Sequence, residues 1–289
     1  MAITAAQVKE LRERTGLGMM DCKKALEEAS GDMELAIEEL RKKSALKAAK
    51  KAGRTTADGL LGLKVADDAS KGALVEVNIE TDFAAKNEKF IAFVDRVLNA
   101  VFDSGETDVG KLLAGELGGQ RETLVQEIGE NVSVRRAAYL ASDGGRIADY
   151  LHGDNRKGAL VELVGGSAEL GRDIAMHVTA INPLVVTGDQ VPDEVLAKER
   201  EIYASQAAES GKPAEIVEKM VEGRVRKYLA EVSLVDQPFV KEPNTKIGQL
   251  LKQANAECRA FVRFEVGEGI EVEHTDFAAE VAAQVKGSS

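Results

Sequence analysis

The sequence predicts an α+β protein with antiparallel sheets, and three observations carry that reading. The hexapeptide KGALVE occurs twice, at Lys71–Glu76 and at Lys157–Glu162, each time between a strand-like run and a helix-like run. The first 40 residues instead show capped, helix-period segments and no strand pattern. Between Pro192 and Leu234, two long helical patterns are separated by Gly211 and Pro213, the expected punctuation of a helical hairpin.

Each element can be justified in chain order. Thr4 followed by Gln7 is a capping-box pattern, and Val8 and Leu11 then fall on one face. Gly16 and Gly18 break that helix. A second helix follows and ends at Gly31, and Asp32 caps a third that carries Leu35, Ile37 and Leu40. Three short helices make a small bundle, marginal by itself. The segment 41–54 holds seven basic residues and no acidic one. It reads either as a solvated, Lys-rich helix end or linker, or as an RNA or phosphate contact, although it lacks the interleaved aromatics that favour single-strand binding.

After residue 55 the pattern repeats. GLLGLKVA precedes the first hexapeptide and GRIADYLH the second. Helical runs follow each, AAKNEKFIAFVDRVLNAV in one case and AELGRDIAMHVTAI in the other. Each unit closes with a short helix and a strand, within 122–142 and 246–269. The plan is two β-hairpin–helix–helix–strand modules. The hairpin interrupts the second. Val217, Val221 and Tyr228 give it an apolar stripe, which suits either a self-packing arm or a protein-contact or dimer surface. The expected divisions are 1–54 (bundle and basic linker), 55–144 (first module), 145–191 with 233–272 (second module), 192–232 (hairpin) and 273–289 (a C-terminal amphipathic helix). That helix repeats the pentapeptide TDFAA at Thr275–Ala279, taken as a helix-start preference.

Composition narrows the function. The chain has 289 residues and a net charge of −11, which disfavours a broad nucleic-acid or anionic-membrane surface. Cys22 and Cys258 form neither a disulfide framework nor a zinc spacing, and no apolar run approaches membrane length, so a cytoplasmic protein is expected. The three histidines, His152, His177 and His274, fit no metal motif. No G-x-S-x-G elbow is present, and the Gly-rich stretch 114–120 lacks the Lys-Ser/Thr of a phosphate loop. Nucleophile, base and oxyanion hole are nowhere nominated together. A binding or regulatory protein is the stronger expectation. A hydrolase with a hidden site is the weaker one, and no cofactor or metal is expected.

The stretch IETDFAAKNEKF, 79–90, concentrates the question. Thr81 or Asp82 is a good N-cap. Phe83 lies seven residues before Phe90, so one continuous helix would put both in the core. Left exposed, Phe83 beside a carboxylate would be an interface anchor. Spacing leaves both readings open.

The runs TGLGMMDCKKALEEASGDMELAIEELRKK and VEVNIETDFAAKNEKF closely resemble bacterial translation elongation factor Ts, and the resemblance spans the whole chain. Ala84 stands where that family commonly has Val. The resemblance implies a UBA-like N-terminal bundle and a guanine-nucleotide exchange factor for the GTPase elongation factor Tu. It also implies that Thr81, Asp82 and Phe83 dock on the GTPase domain. Phe83 would act as a wedge, and Asp82, Phe83, Ala84 and Ala85 would help dislodge Mg²⁺. Met19, Met20 and Lys23 would contact the same domain, as would the C-terminal helix. Ile128, Gly129 and His177 would lie at core contacts with the partner, and the hairpin would serve assembly, including dimerisation. On this reading 41–54 is a linker and no direct nucleic-acid contact is needed. An RNA-associated scaffold using that segment is the alternative.

Overall fold

A computed structural model of the chain describes residues 3–208 and 213–271. The expected C-terminal helix, its TDFAA repeat, His274 and the hairpin's Gly211 lie outside the described residues.

The bundle consists of α1 (Ala5–Thr15), α2 (Met19–Glu28) and α3 (Met33–Lys51). The capping box at Thr4 forms, with Gln7 N–H donating to the Thr4 hydroxyl at 3.3 Å and Thr4 N–H donating to Gln7 Oε1 at 3.0 Å. Gly16 ends α1 in the left-handed region at φ 73°, a conformation with little cost only for glycine. Asp32 caps α3 by accepting the Leu35 N–H at 3.0 Å. Leu11, Cys22, Leu26, Ala36 and Leu40 form the bundle's core. Leu35 is on the exposed side instead.

The basic segment 41–54 is no flexible linker. Most of it is the last turns of α3, and Ser44 and Ala48 are buried. These two positions continue the 37–40 stripe at helical spacing, so the buried face outlasts the bundle and packs on the first sheet's helices.

The first sheet has antiparallel order β1 (Asp58–Val65), β2 (Lys71–Ile79), β3 (Val132–Ala141). Between β2 and β3 lie α4 (Asp82–Ala85), α5 (Glu88–Ser104), α6 (Val109–Leu113) and α7 (Glu116–Ile128). The second sheet begins with β4 (Arg146–Leu151) and β5 (Lys157–Val164) and continues through α8 (Ala168–Ile181). The hairpin α9 (Asp193–Ala208) and α10 (Ala214–Val232) follows. The small ribbon β6 (Pro238–Phe239), β7 (Glu242–Lys246), then α11 (Ile247–Gln253) and β8 (Glu257–Glu265) complete the chain. The second sheet's order is β4-β5-β8, also antiparallel.

The repeated hexapeptide is the central strand of each sheet, and its alternation explains the layering. Ala73, Val75 and Val77 face α5 and α7, whereas Leu74 faces the other sheet. Ala159, Val161 and Leu163 face α8, whereas Leu160 faces back. The sheets thus pack face to face through Leu61, Leu74, Ile147, Leu160 and Phe264, with helices outside. Both faces of β2 are covered, which is why it reads as a continuous apolar run. Gly72 permits the close approach, because a Cβ there would stand 3.0 Å from Ile147 and 3.1 Å from Leu160.

The two glutamates of the hexapeptide also recur structurally. Each precedes a β-bulge, at Glu76/Val77 and at Glu162/Leu163. The extra residue opposite is Arg135 in one case and Arg259 in the other, and each arginine reaches its glutamate, at 3.0 and 3.9 Å. Glu76 is fully buried. It also takes Arg136 and the Gly267 N–H, the latter at 2.9 Å.

Candidate docking edge

The chain leaves β2 at Ile79 and turns sharply. Thr81 is extended (φ −128°, ψ 153°), and its hydroxyl accepts the Ala84 N–H at 3.2 Å. Thr81, not Asp82, is therefore the cap. The same hydroxyl donates to Glu130 at 2.8 Å, and the Thr81 N–H donates to the other Glu130 oxygen at 3.0 Å. Glu80 accepts the Asn131 N–H at 2.6 Å. The turn is pinned on both sides by the loop that follows α7.

α4 lasts a single turn. Asn87 caps a new helix by accepting the Lys89 N–H at 2.9 Å. The seven-residue spacing from Phe83 to Phe90 therefore does not run along one helix axis. Phe90 is 0% exposed and Phe83 is 80% exposed, which overturns the core reading of Phe83 that spacing allowed. Ala84 and Ala85 are buried and seat the turn on the first core. Asp82 ion-pairs with Lys86 at 2.9 Å, and the hydrogen bond from that ammonium holds its carboxyl below the usual range. The Lys86 ammonium also lies 5.5 Å from the Phe83 ring centroid.

Several of the other expected site residues converge here. Gly129 ends α7 at φ 84°, adjacent to the Glu130 that holds Thr81, and Ile128 is half-buried against the first core. The Lys51 ammonium donates to the Gly129 carbonyl. Asn131 bonds the carbonyl of Arg54 at 3.1 Å. Met19 and Met20 open α2 at 58% and 74% exposed. Lys23 is exposed and paired to Glu27 at 3.7 Å. α2 is tied to the same end of α7 through Asp21 and Gln126, 3.5 Å apart. Glu127 on α7 pairs with Lys89, at the start of α5, at 2.9 Å.

His177 is elsewhere and has a different environment. It is fully buried on α8 beneath the second sheet. Its Nδ1 accepts the Val240 N–H at 3.3 Å, so Nε2 carries the proton and donates to Gln237 at 2.9 Å. Burial lowers its pKa, against the raising effect of Gln237. This neutral ring thereby positions the exposed Val240.

Sequence reasoning missed Glu130 and Lys51, which hold the edge in place. The only signal was local: a helix-ending Gly followed by Glu-Asn, a loop whose polar groups need partners. Among the described residues, no group of three or more His, Cys, Asp or Glu could hold a metal. No helix there is long and apolar enough to cross a membrane.

An exposed aromatic on a rigidly capped turn is a geometry suited to docking on another protein. Comparison with known proteins gives the family. The family model for elongation factor TS matches residues 80–268. The chain is 60% identical to elongation factor Ts of Hahella chejuensis over 286 residues, covering 99% of both chains. It is 57% identical to that of Saccharophagus degradans over 288 residues, covering 100% of this chain and 99% of the relative. Against that of Marinobacter nauticus it is 58% identical, covering 98% and 97%. The chain belongs to the elongation factor Ts family, the nucleotide exchange factors that act on elongation factor Tu in translation elongation and are not enzymes.

Proposed function

We propose that this chain drives exchange in the cytoplasm by docking the Thr81–Phe83 edge on the GTPase domain of elongation factor Tu. Phe83 enters that domain as a wedge, and the Asp82–Ala85 turn displaces the Mg²⁺ that bridges protein and GDP. The observation that carries the reading is Phe83, 80% exposed on a turn capped by Thr81 and pinned by Glu130. A rigid base means that little ordering entropy opposes insertion.

Bound GDP is held by phosphate-loop amides, a lysine and Mg²⁺, and loss of the metal leaves phosphate charge uncompensated. The factor binds the nucleotide-free GTPase better than its GDP form. By reciprocity GDP weakens the factor's hold by the same ratio, so the factor chooses no direction. Met19, Met20 and Lys23 add a second contact, for which exposed, adaptable methionines are suited. Ile128 and Gly129 act at the rim of the first. His177 acts indirectly, by positioning Val240. In this reading 1–54, 55–144 and 145–191 with 233–272 are the working units. The hairpin 192–232 serves assembly and dimerisation, and 273–289 touches the same GTPase domain.

The test is release of a fluorescent GDP analogue from elongation factor Tu, with wild type and Phe83→Ala. Burying one Phe contributes about 1.5–3 kcal/mol, so the variant is expected to accelerate release about 10- to 150-fold less. Its circular dichroism and Tm should match the wild type, because an exposed ring adds little to the fold. Equal acceleration by both proteins rejects the wedge.

A further inference from the structure

The docking edge has two flanks, and the second module holds one of them. β2 ends at Ile79, opposite Val132 of β3 on one side and Asp58 of β1 on the other. On the β3 side, Glu130 and Asn131 hold Thr81 and Glu80. On the β1 side, the start of the strand is clasped at three points. A Cβ on Gly267 would fall 2.3 Å from the Ala57 carbonyl oxygen, so the chain leaving β8 lies directly on residue 57. Arg156 Nη1 donates to Asp58 Oδ1 at 2.6 Å. The Leu61 N–H donates to the Asn155 carbonyl at 2.8 Å.

Arg156 is itself firmly placed. It follows the tight turn between β4 and β5, where Asn155 takes the left-handed conformation at φ 56°. Its N–H donates to Asp154 at 2.9 Å, and its carbonyl accepts the Val266 N–H at 2.8 Å. Arg156 and Asp58 are both half-buried, which spares the pair part of the screening that weakens a surface ion pair. The docking turn responds to both. α4 packs on β1 as well as on β2. The Asp82 carboxyl, held low chiefly by its hydrogen bond from Lys86, is lowered further by the Arg156 charge.

We infer that Arg156 is a positioning residue for exchange: reaching across from the second module, it holds the β1 flank of the docking edge through Asp58 and so fixes the direction in which Phe83 leaves the surface. The inference rests on Phe83 acting as the wedge. An aromatic already aimed loses less freedom on entering its partner, and a small error in aim is costly in rate. Through this arginine, the placement of the second module sets the working geometry of the first.

The experiment follows release of a fluorescent GDP analogue from elongation factor Tu over a range of concentrations of the full chain. Arg156→Met is expected to lower the plateau rate about fivefold. The half-saturating concentration should stay within about twofold, since the loss falls on the release step. Asp58→Ala should lose as much as Arg156→Met, and the two together no more than either alone. In a Phe83→Ala chain, Arg156→Met should cost less than about twofold, because it acts through the ring. A full plateau in Arg156→Met beside a loss in Phe83→Ala overturns this inference alone. So does a loss equally large with and without Phe83, which would mean that Arg156 meets the partner by itself. Full acceleration by Phe83→Ala rejects the wedge reading, and this inference with it. Where Arg156→Met melts early, Asp58→Ala, which leaves the turn 152–156 untouched, is read in its place by the same criteria.

Discussion

At the scale of single residues, the docking edge depends on a division of labour between neighbours. Thr81 caps and Asp82 does not, so charge and capping can be separated. Thr81→Val is expected to cost about 1 kcal/mol for the lost cap, with Glu130 still held by the residue-81 backbone N–H, read as a lower midpoint in urea. Asp82→Asn should leave that midpoint unchanged, so any slowing of GDP release it causes reports the charge. His177 supplies a pH signature. Its folded pKa lies below the ordinary value of about 6.5. Above that value the ring is neutral in both states and contributes no slope. As pH falls below it, the unfolded chain takes up the proton first, so stability drops with a slope of up to about 1.4 kcal/mol per pH unit, levelling off below the folded pKa. Urea midpoints between pH 7 and 5 would show this, and a His177→Gln chain should lack that part of the slope.

At the scale of elements, the loop after α7 is the clamp that joins bundle, sheet and docking turn. Gly129 accepts Lys51 with its carbonyl and sits at φ 84°. Ala in that conformation is strained, so Gly129→Ala should destabilise by about 1 kcal/mol. It should also slow exchange, because Glu130 would no longer hold Thr81 in place. Native-state hydrogen exchange at the Ala84 and Ala85 amides is the direct check: faster exchange there means a loosened turn. The short length of α4 matters equally. Had the helix continued from 82 through 90, Phe83 would have joined Phe90 in the core.

At the scale of the whole molecule, two sheets are held face to face around one buried carboxylate. Burial pushes the Glu76 pKa up, but the Gly267 N–H, Arg135 and Arg136 outweigh it, and the net shift is downward. A depressed carboxylate contributes stability above its unfolded value, and that contribution is lost as pH falls through the folded value. Glu76→Gln should therefore flatten the acid limb of the stability curve below about pH 4.5. At neutral pH it should cost about 2–3 kcal/mol, less than the 3–5 of a fully buried pair, because Arg135 and Arg136 remain 28% and 30% exposed. Thermal unfolding at pH 7 and pH 3.5 tests both statements.

Residue pattern by itself determined much of this protein. Caps at Thr4 and Asp32, the glycine stop at Gly16, the repeated hexapeptide and the Pro-punctuated hairpin are local signals, set by backbone geometry within a few residues. Motif resemblance named the family and nominated Thr81–Phe83. Only the tertiary structure decided three matters. It made 41–51 a packed helix end where the pattern allowed either a solvated helix end or a linker, because burial of Ser44 depends on α7, some 80 residues away in sequence. It put Phe83 outside, because α4 is pinned at Thr81 by Glu130 from the loop after α7 and a new helix starts at the Asn87 cap. It made His177 a buried, neutral support, because Gln237 and Val240, some 60 residues on, complete its hydrogen bonds. Local spacing carries no information about such partners, since each contact is made by the fold as a whole.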